Sequence, residues 1–126
     1  MPTIKRKVLI VEDDVSARRV LARHLEDENI QIFEADTGDT AFKDMESGLQ
    51  PDLLLTDVVM PGLLQGPQLA QKARIMFPDM RVLFMSGYPL GMSHHSEDIA
   101  PTDRQLTKPV TQDRLLSMVA ELLVKT

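Results

Sequence analysis

Three consecutive acids, Glu12-Asp13-Asp14, follow the apolar run Val8 to Val11, and a single Asp57 follows the run that starts at Leu53. Ser86-Gly87 closes a further run, Val82 to Met85, and Lys108-Pro109 follows a weaker one, Gln105 to Thr107. If each run is a strand, four strand ends deliver carboxylates, a hydroxyl and an ammonium to one edge of a sheet. Carboxylates gathered in this way repel one another unless a cation neutralises them, and a hard, oxygen-ligated ion such as Mg²⁺ suits the set. A metal-bound carboxylate beside a lysine is equipped to receive a phosphoryl group, because the carboxylate is the nucleophile and positioning with charge neutralisation supplies most of the catalysis. The product would be an aspartyl phosphate.

Each residue also has a purely structural reading. Asp14, just ahead of a helical pattern, sits where an N-cap would, Asp13 could be its solvated neighbour, Ser86 before Gly87 is ordinary turn chemistry, and Lys108 alone would pass for a surface lysine. What favours the chemical reading is coincidence, since all of them fall at the end of a strand.

The elements that must position these residues are legible as a pattern. Val8 to Val11, Leu53 to Leu55 and Val82 to Met85 are nearly continuous apolar runs, as expected for central parallel strands covered on both faces. Ile30, Ile32 and Glu34 alternate, which suits a strand nearer an edge. Helical spacing recurs between the runs: Ala17, Val20, Leu21, Leu25; Ala41, Phe42, Met45; Leu69, Ala73, Met76, Phe77; Leu115, Val119, Leu122, Leu123. Asp36 with Asp39 resembles a capping box, Gly48 and Pro51 end the second helix, Gly66-Pro67 opens the third and Thr111 can cap the last. Arg18-Arg19 reads as the exposed side of the first helix. Strand and helix in alternation predict a parallel sheet with helices on both faces, a doubly wound α/β domain of five strands. The segment Gly91 to Asp103 has few apolar anchors, so the fourth helix is expected to be short, displaced or mobile, and the His94-His95 pair within it reads as solvated loop.

Composition narrows the function classes. A chain of 126 residues fits one compact domain, 1–126. A net charge of −5 argues against a nucleic-acid footprint, which needs clustered Lys and Arg. With no cysteine, disulfides and thiolate zinc sites are excluded, and a reducing compartment is favoured. Apolar stretches are too short to insert in a membrane, and the N-terminus runs into a strand rather than a signal peptide, so a cytoplasmic location is expected.

Together VEDD, LLLTDVVMPG, FMSGY and TKP, in this order and across essentially the whole chain, resemble the receiver domain of two-component response regulators. The resemblance implies a flavodoxin-like (βα)5 fold with strand order 2-1-3-4-5 and a cis Lys108-Pro109 bond. It implies Asp57 as phospho-acceptor, with Asp14, Asp57 and the main-chain carbonyl of Val59 as Mg²⁺ ligands and Asp13 holding a metal-bound water. Ser86 and Lys108 would contact the phosphoryl oxygens. The implied phosphodonor is a phosphohistidine on a sensor histidine kinase or histidine phosphotransfer domain. Such a chain is not a conventional enzyme, although it catalyses its own phosphorylation and dephosphorylation. DVVMPG and SGYP look most like receivers at the C-terminus of hybrid histidine kinases, and a free-standing regulator fits the same residues.

Three features depart from the family pattern. Gln105 stands where receivers usually carry the aromatic that reports phosphorylation, PGLLQG is one residue longer than the common loop and lacks its acid, and Tyr88 sits where water access to the phosphoryl group is tuned. Without the aromatic, output is expected to work by ordering the Gly91 to Asp103 segment. Competing readings are a protein-binding pseudo-receiver, a haloacid-dehalogenase-type phosphatase, which would want an acid where Val59 stands, and a flavodoxin, whose phosphate loop the acids at 12–14 would repel. The oligomeric state is left open, because the face where many receivers dimerise is the divergent one.

Overall fold

The computed structural model describes residues 5–87 and 99–124. Five parallel strands, β1 (Arg6–Val11), β2 (Ile30–Ala35), β3 (Leu53–Asp57), β4 (Arg81–Ser86) and β5 (Arg104–Thr107), form one sheet in the order β2-β1-β3-β4-β5. This is the expected flavodoxin-like order. Four helices are seen among the described residues: α1 (Val15–His24), α2 (Gly38–Glu46), α3 (Gly66–Met76) and α4 (Gln112–Leu123). Of the segment Gly91 to Asp103, where a short fourth helix is expected, residues 91–98 lie outside the described residues, as do Tyr88 and His94-His95, and residues 99–103 contain a turn closed by Asp103 N–H to Ala100 O at 3.0 Å.

Alternation along the strands builds two cores. Leu9 and Val11 point with Leu54, Val82 and Phe84 towards α2 and α3, where Ala41, Met45, Leu69, Ala70 and Ala73 meet them. Val8 and Ile10 point with Leu53, Leu55, Leu83 and Met85 towards Leu21, Leu25, Leu115, Val119 and Leu122 of α1 and α4. Every residue of β3 is buried, so the central strand carries both faces at once and its run reads as continuous. β2 is an edge strand, with the half-exposed pattern its alternation predicts.

Helix starts follow local chemistry. Asp14 caps α1 by accepting from the Ala17 main-chain N–H at 3.0 Å, and Thr111 caps α4 by accepting from Arg114 at 3.3 Å. The cap of α2 is Thr37, not the expected Asp36, and its hydroxyl accepts from Thr40 at 3.1 Å. Asp39 faces another element, as described below. Gly48, just past the end of α2, adopts φ +123°, the left-handed conformation that glycine tolerates at helix ends.

Gly66 decides how closely α3 approaches the sheet. Its N–H donates to the Val58 carbonyl at 2.9 Å, and a Cβ at this position would fall on the Asp57 carbonyl oxygen. A side chain there forces α3 and the end of β3 apart. Gly66→Ala is therefore expected to lower the unfolding free energy by about 1–3 kcal/mol in urea denaturation; an unchanged midpoint would show that the helix start can shift freely.

Candidate functional site

The four strand ends do converge. Ladder-like main-chain bonds extend past the strands, from Val58 N–H to Met85 O at 3.0 Å and from Lys108 N–H to Ser86 O at 2.7 Å, and these align the ends of β3, β4 and β5. Asp57, Val58, Val59, Met85, Ser86, Gly87 and Lys108 line a depression of about 240 Å³ at this edge. Lys108 precedes Pro109 through a cis peptide bond, as expected.

Asp57 is 3% exposed at the end of the central strand, and Lys108 Nζ lies 2.8 Å from its Oδ1. That contact is a buried ion pair. The same Lys108 Nζ donates to Glu12 Oε1 at 3.3 Å. Burial raises the Asp57 carboxyl to about 7, and the hydrogen bond and charge of Glu12 add to the rise while Lys108 opposes it. For Glu12, burial also acts upwards. Hydrogen bonds to Asp57, to the Asp14 main-chain N–H and to Lys108 outweigh it and hold Glu12 below its usual value. The two carboxylates titrate as a pair, with burial pushing Asp57 up and Glu12 held down. Lys108 is held above the ordinary lysine value: its burial acts downwards, and the two carboxylates overcome it.

Glu12, Asp13 and Asp57 each offer a carboxylate oxygen within 4.8 Å of the others, and Asp14 is not among them. Asp14 is engaged at the N-terminus of α1 by its bond to Ala17. The expected trio of Asp13, Asp14 and Asp57 is thus not the trio that the structure brings together. Glu12 is the member for which sequence reasoning found no role. Its N–H donates to Ala35 O at 3.2 Å, so it continues β1 by one residue and its side chain is buried. Three adjacent acids differ only in where the strand stops, which composition does not mark. Arg18, expected on an exposed helix face, helps to fix this end: Nη1 donates to the Glu12 carbonyl at 2.8 Å and Nε to Glu34 Oε1 at 3.0 Å.

Three crowded carboxylates, one of them pushed up by burial, fit a divalent cation, which would relieve the repulsion. A larger depression, about 440 Å³, lies at the opposite edge of the sheet. The Arg6 and Arg74 that line it are paired with Asp52 at 3.8 Å and Asp103 at 2.9 Å, so it presents no converging chemistry.

The sequence profile of the response regulator receiver domain matches residues 8–120. The chain belongs to that family. It is 29% identical over 120 residues to the response regulator receiver protein CpdR of Brucella abortus, covering 94% of this chain and 98% of that protein. It is 34% identical over 126 residues to the sensor kinase CckA of the same organism, of which it spans 12%. The solved receiver domain of the hybrid histidine kinase CckA superposes with a TM-score of 0.77 at 33% identity, covering 94% of this chain and 99% of that one. The receiver therefore resembles both a free-standing regulator and a hybrid-kinase receiver, as expected, and the family is not one of conventional enzymes. No helix among the described residues is long and apolar enough to cross a membrane. Gln105 lies exposed on β5, opposite Phe84 of β4.

The charge balance of the pocket sets a pH dependence. Between the usual value of 3.8 and about 7, the folded receiver holds a proton on Asp57 that the unfolded chain releases, so this group makes stability fall as pH rises through that window. Glu12, shifted the other way from 4.5, acts only at lower pH. In metal-free buffer the stability advantage of Asp57→Asn over the native chain is expected to grow by about 1–2 kcal/mol between pH 5 and 7.5. Parallel pH profiles would show that Asp57 is ionised throughout.

Proposed function

We propose that this receiver takes a phosphoryl group from phosphohistidine onto Asp57 in a two-component phosphorelay, and passes the signal to a partner or tethered domain by changing conformation. The observation that carries the reading is the Asp57 carboxylate, buried between Glu12 and Lys108 with the lysine ammonium 2.8 Å from its Oδ1, at the floor of a depression open to a donor. An ion pair that served only the fold would have no need of that opening.

Glu12, Asp13 and Asp57 are assigned as the carboxylates that hold Mg²⁺, directly or through water, with the main-chain carbonyl of Val59 as a further ligand. Asp14 is assigned to the helix cap instead of the metal, because its oxygen already accepts from Ala17. Mg²⁺, when bound, neutralises the carboxylates and the charge on the transferring phosphoryl oxygens. An Asp57 oxygen forms the new P–O bond as the P–N bond of the donor breaks, and the bonding pair returns to the imidazole nitrogen. Lys108, whose ammonium already faces Asp57, pairs with a phosphoryl oxygen, and the Ser86 hydroxyl donates to another. Hydrolysis of the acyl phosphate in the same site returns the receiver to rest.

The partner that fits is a sensor histidine kinase or a histidine phosphotransfer domain, in keeping with the similarity to CckA, and the cytoplasm is the compartment where such donors act. Nothing in a net charge of −5 favours direct nucleic-acid binding.

Amide NMR spectra recorded with Mg²⁺ and then with beryllofluoride, a phosphoryl mimic, test the reading. Shifts at Glu12, Asp13, Asp57, Ser86 and Lys108 are expected, and the beryllofluoride response should vanish in Asp57→Asn. A folded chain that answers neither ligand would point to a binding module whose acids are structural.

A further inference from the structure

The loop from Val59 to Gln65, which leads away from the acceptor, is held from two sides by side chains that no feature of the pocket requires. From one side, Asp39 in the first turn of α2 accepts two main-chain hydrogen bonds, Leu63 N–H to Oδ2 at 3.0 Å and Leu64 N–H to Oδ1 at 3.1 Å. From the other, Gln65 closes the loop on itself: its Oε1 accepts from the Met60 N–H and its Nε2 donates to the Met60 carbonyl, both at 2.7 Å. Gln65 is the N-cap residue of α3, yet it makes no side-chain bond to that helix.

The backbone is shaped around the Asp39 contact. Gly62 adopts φ +101°, and a Cβ there would lie 2.7 Å from Asp39 Oδ2. Gly38, the residue before Asp39, is pressed against the same loop, since its Cβ would lie 2.5 Å from the Leu64 carbonyl oxygen. Two glycines on two elements thus make room for one carboxylate to reach two consecutive N–H groups. A charged acceptor gripping both donors holds the loop more firmly than a neutral one, although the contact is open to solvent. The loop it holds contains PGLLQG, the stretch expected to be one residue longer than the common form.

We propose that Asp39 is a positioning residue for the acceptor site: by fixing Leu63 and Leu64 it limits the positions that Val59 and the Asp57 end of β3 can take, and so tunes the affinity of the site for Mg²⁺. This rests on the assignment of Asp57, Glu12 and Asp13 to a metal-dependent acceptor. It makes α2, which carries no acceptor residue, a control point for that site, because whatever moves the first turn of α2 moves the loop.

The test compares Mg²⁺ titrations of the full chain, followed by amide NMR, with thermal unfolding in metal-free buffer. Asp39→Ala removes both bonds and Asp39→Asn keeps one acceptor oxygen. Thr37→Ala removes the cap of the same helix without touching the loop. Asp39→Ala is expected to raise the Mg²⁺ dissociation constant about three- to fivefold, with Asp39→Asn in between, while Thr37→Ala lowers thermal stability and leaves the constant within about 1.5-fold. If Asp39→Ala does not fold, Asp39→Asn against Thr37→Ala gives the same comparison. An unchanged constant in the Asp39 variants overturns the proposal. So does an equal shift in Thr37→Ala, which would reduce the effect to helix stability. A folded native chain without Mg²⁺ shifts at Glu12, Asp13 and Asp57 fails before any variant is made, and takes the acceptor reading down with it.

Discussion

Burying a carboxylate at the end of the central strand is the constraint around which this molecule is arranged. Asp57 sits where β3 has neighbours on both sides, so its charge has little water to solvate it and must be met by the protein. Lys108 supplies the counter-charge, while burial and the neighbouring Glu12 push the carboxyl up to about 7. A carboxylate whose ionisation is disfavoured by burial is one that a bound divalent cation would stabilise.

Topology explains why that cost is tolerable. In the order β2-β1-β3-β4-β5, the ends of β1, β4 and β5 flank or lie near the end of β3, so the acids, the hydroxyl and the ammonium arrive from separate elements, each anchored by its own core contacts. No loop has to fold back to bring a partner to Asp57. Backbone bonds carry the alignment beyond the strands to Val58 and Lys108, and Arg18 fixes the Glu12 carbonyl from α1. The pocket is therefore preorganised in the sense that matters for phosphoryl transfer, where positioning and electrostatics supply most of the effect.

The rim beside Asp57 follows a different logic. It is built from side chain to backbone bonds, with Asp39 and Gln65 standing in for regular structure. Exposed apolar side chains, Val59 and Leu63, ride on this loop. A segment held by a few solvent-facing bonds depends on each of them more than a strand end does.

Most of the architecture is fixed by sequence alone, because alternating and continuous apolar runs report directly which faces are buried. β3 and β4 announce themselves as central, β2 as an edge, and the pocket residues Asp57, Ser86 and Lys108 are marked by their positions after strands. Tertiary structure decided the finer questions. Whether Asp13 or Asp14 joins Asp57, and that Glu12 joins it too, depends on where β1 stops pairing and α1 begins, and three adjacent acids carry no signal of that boundary. Whether Asp39 caps its own helix or grips a loop 24 residues away depends on how α2 lies against the sheet. In both cases the residue type is local information, and the partner is fixed only when packing brings distant backbone within reach.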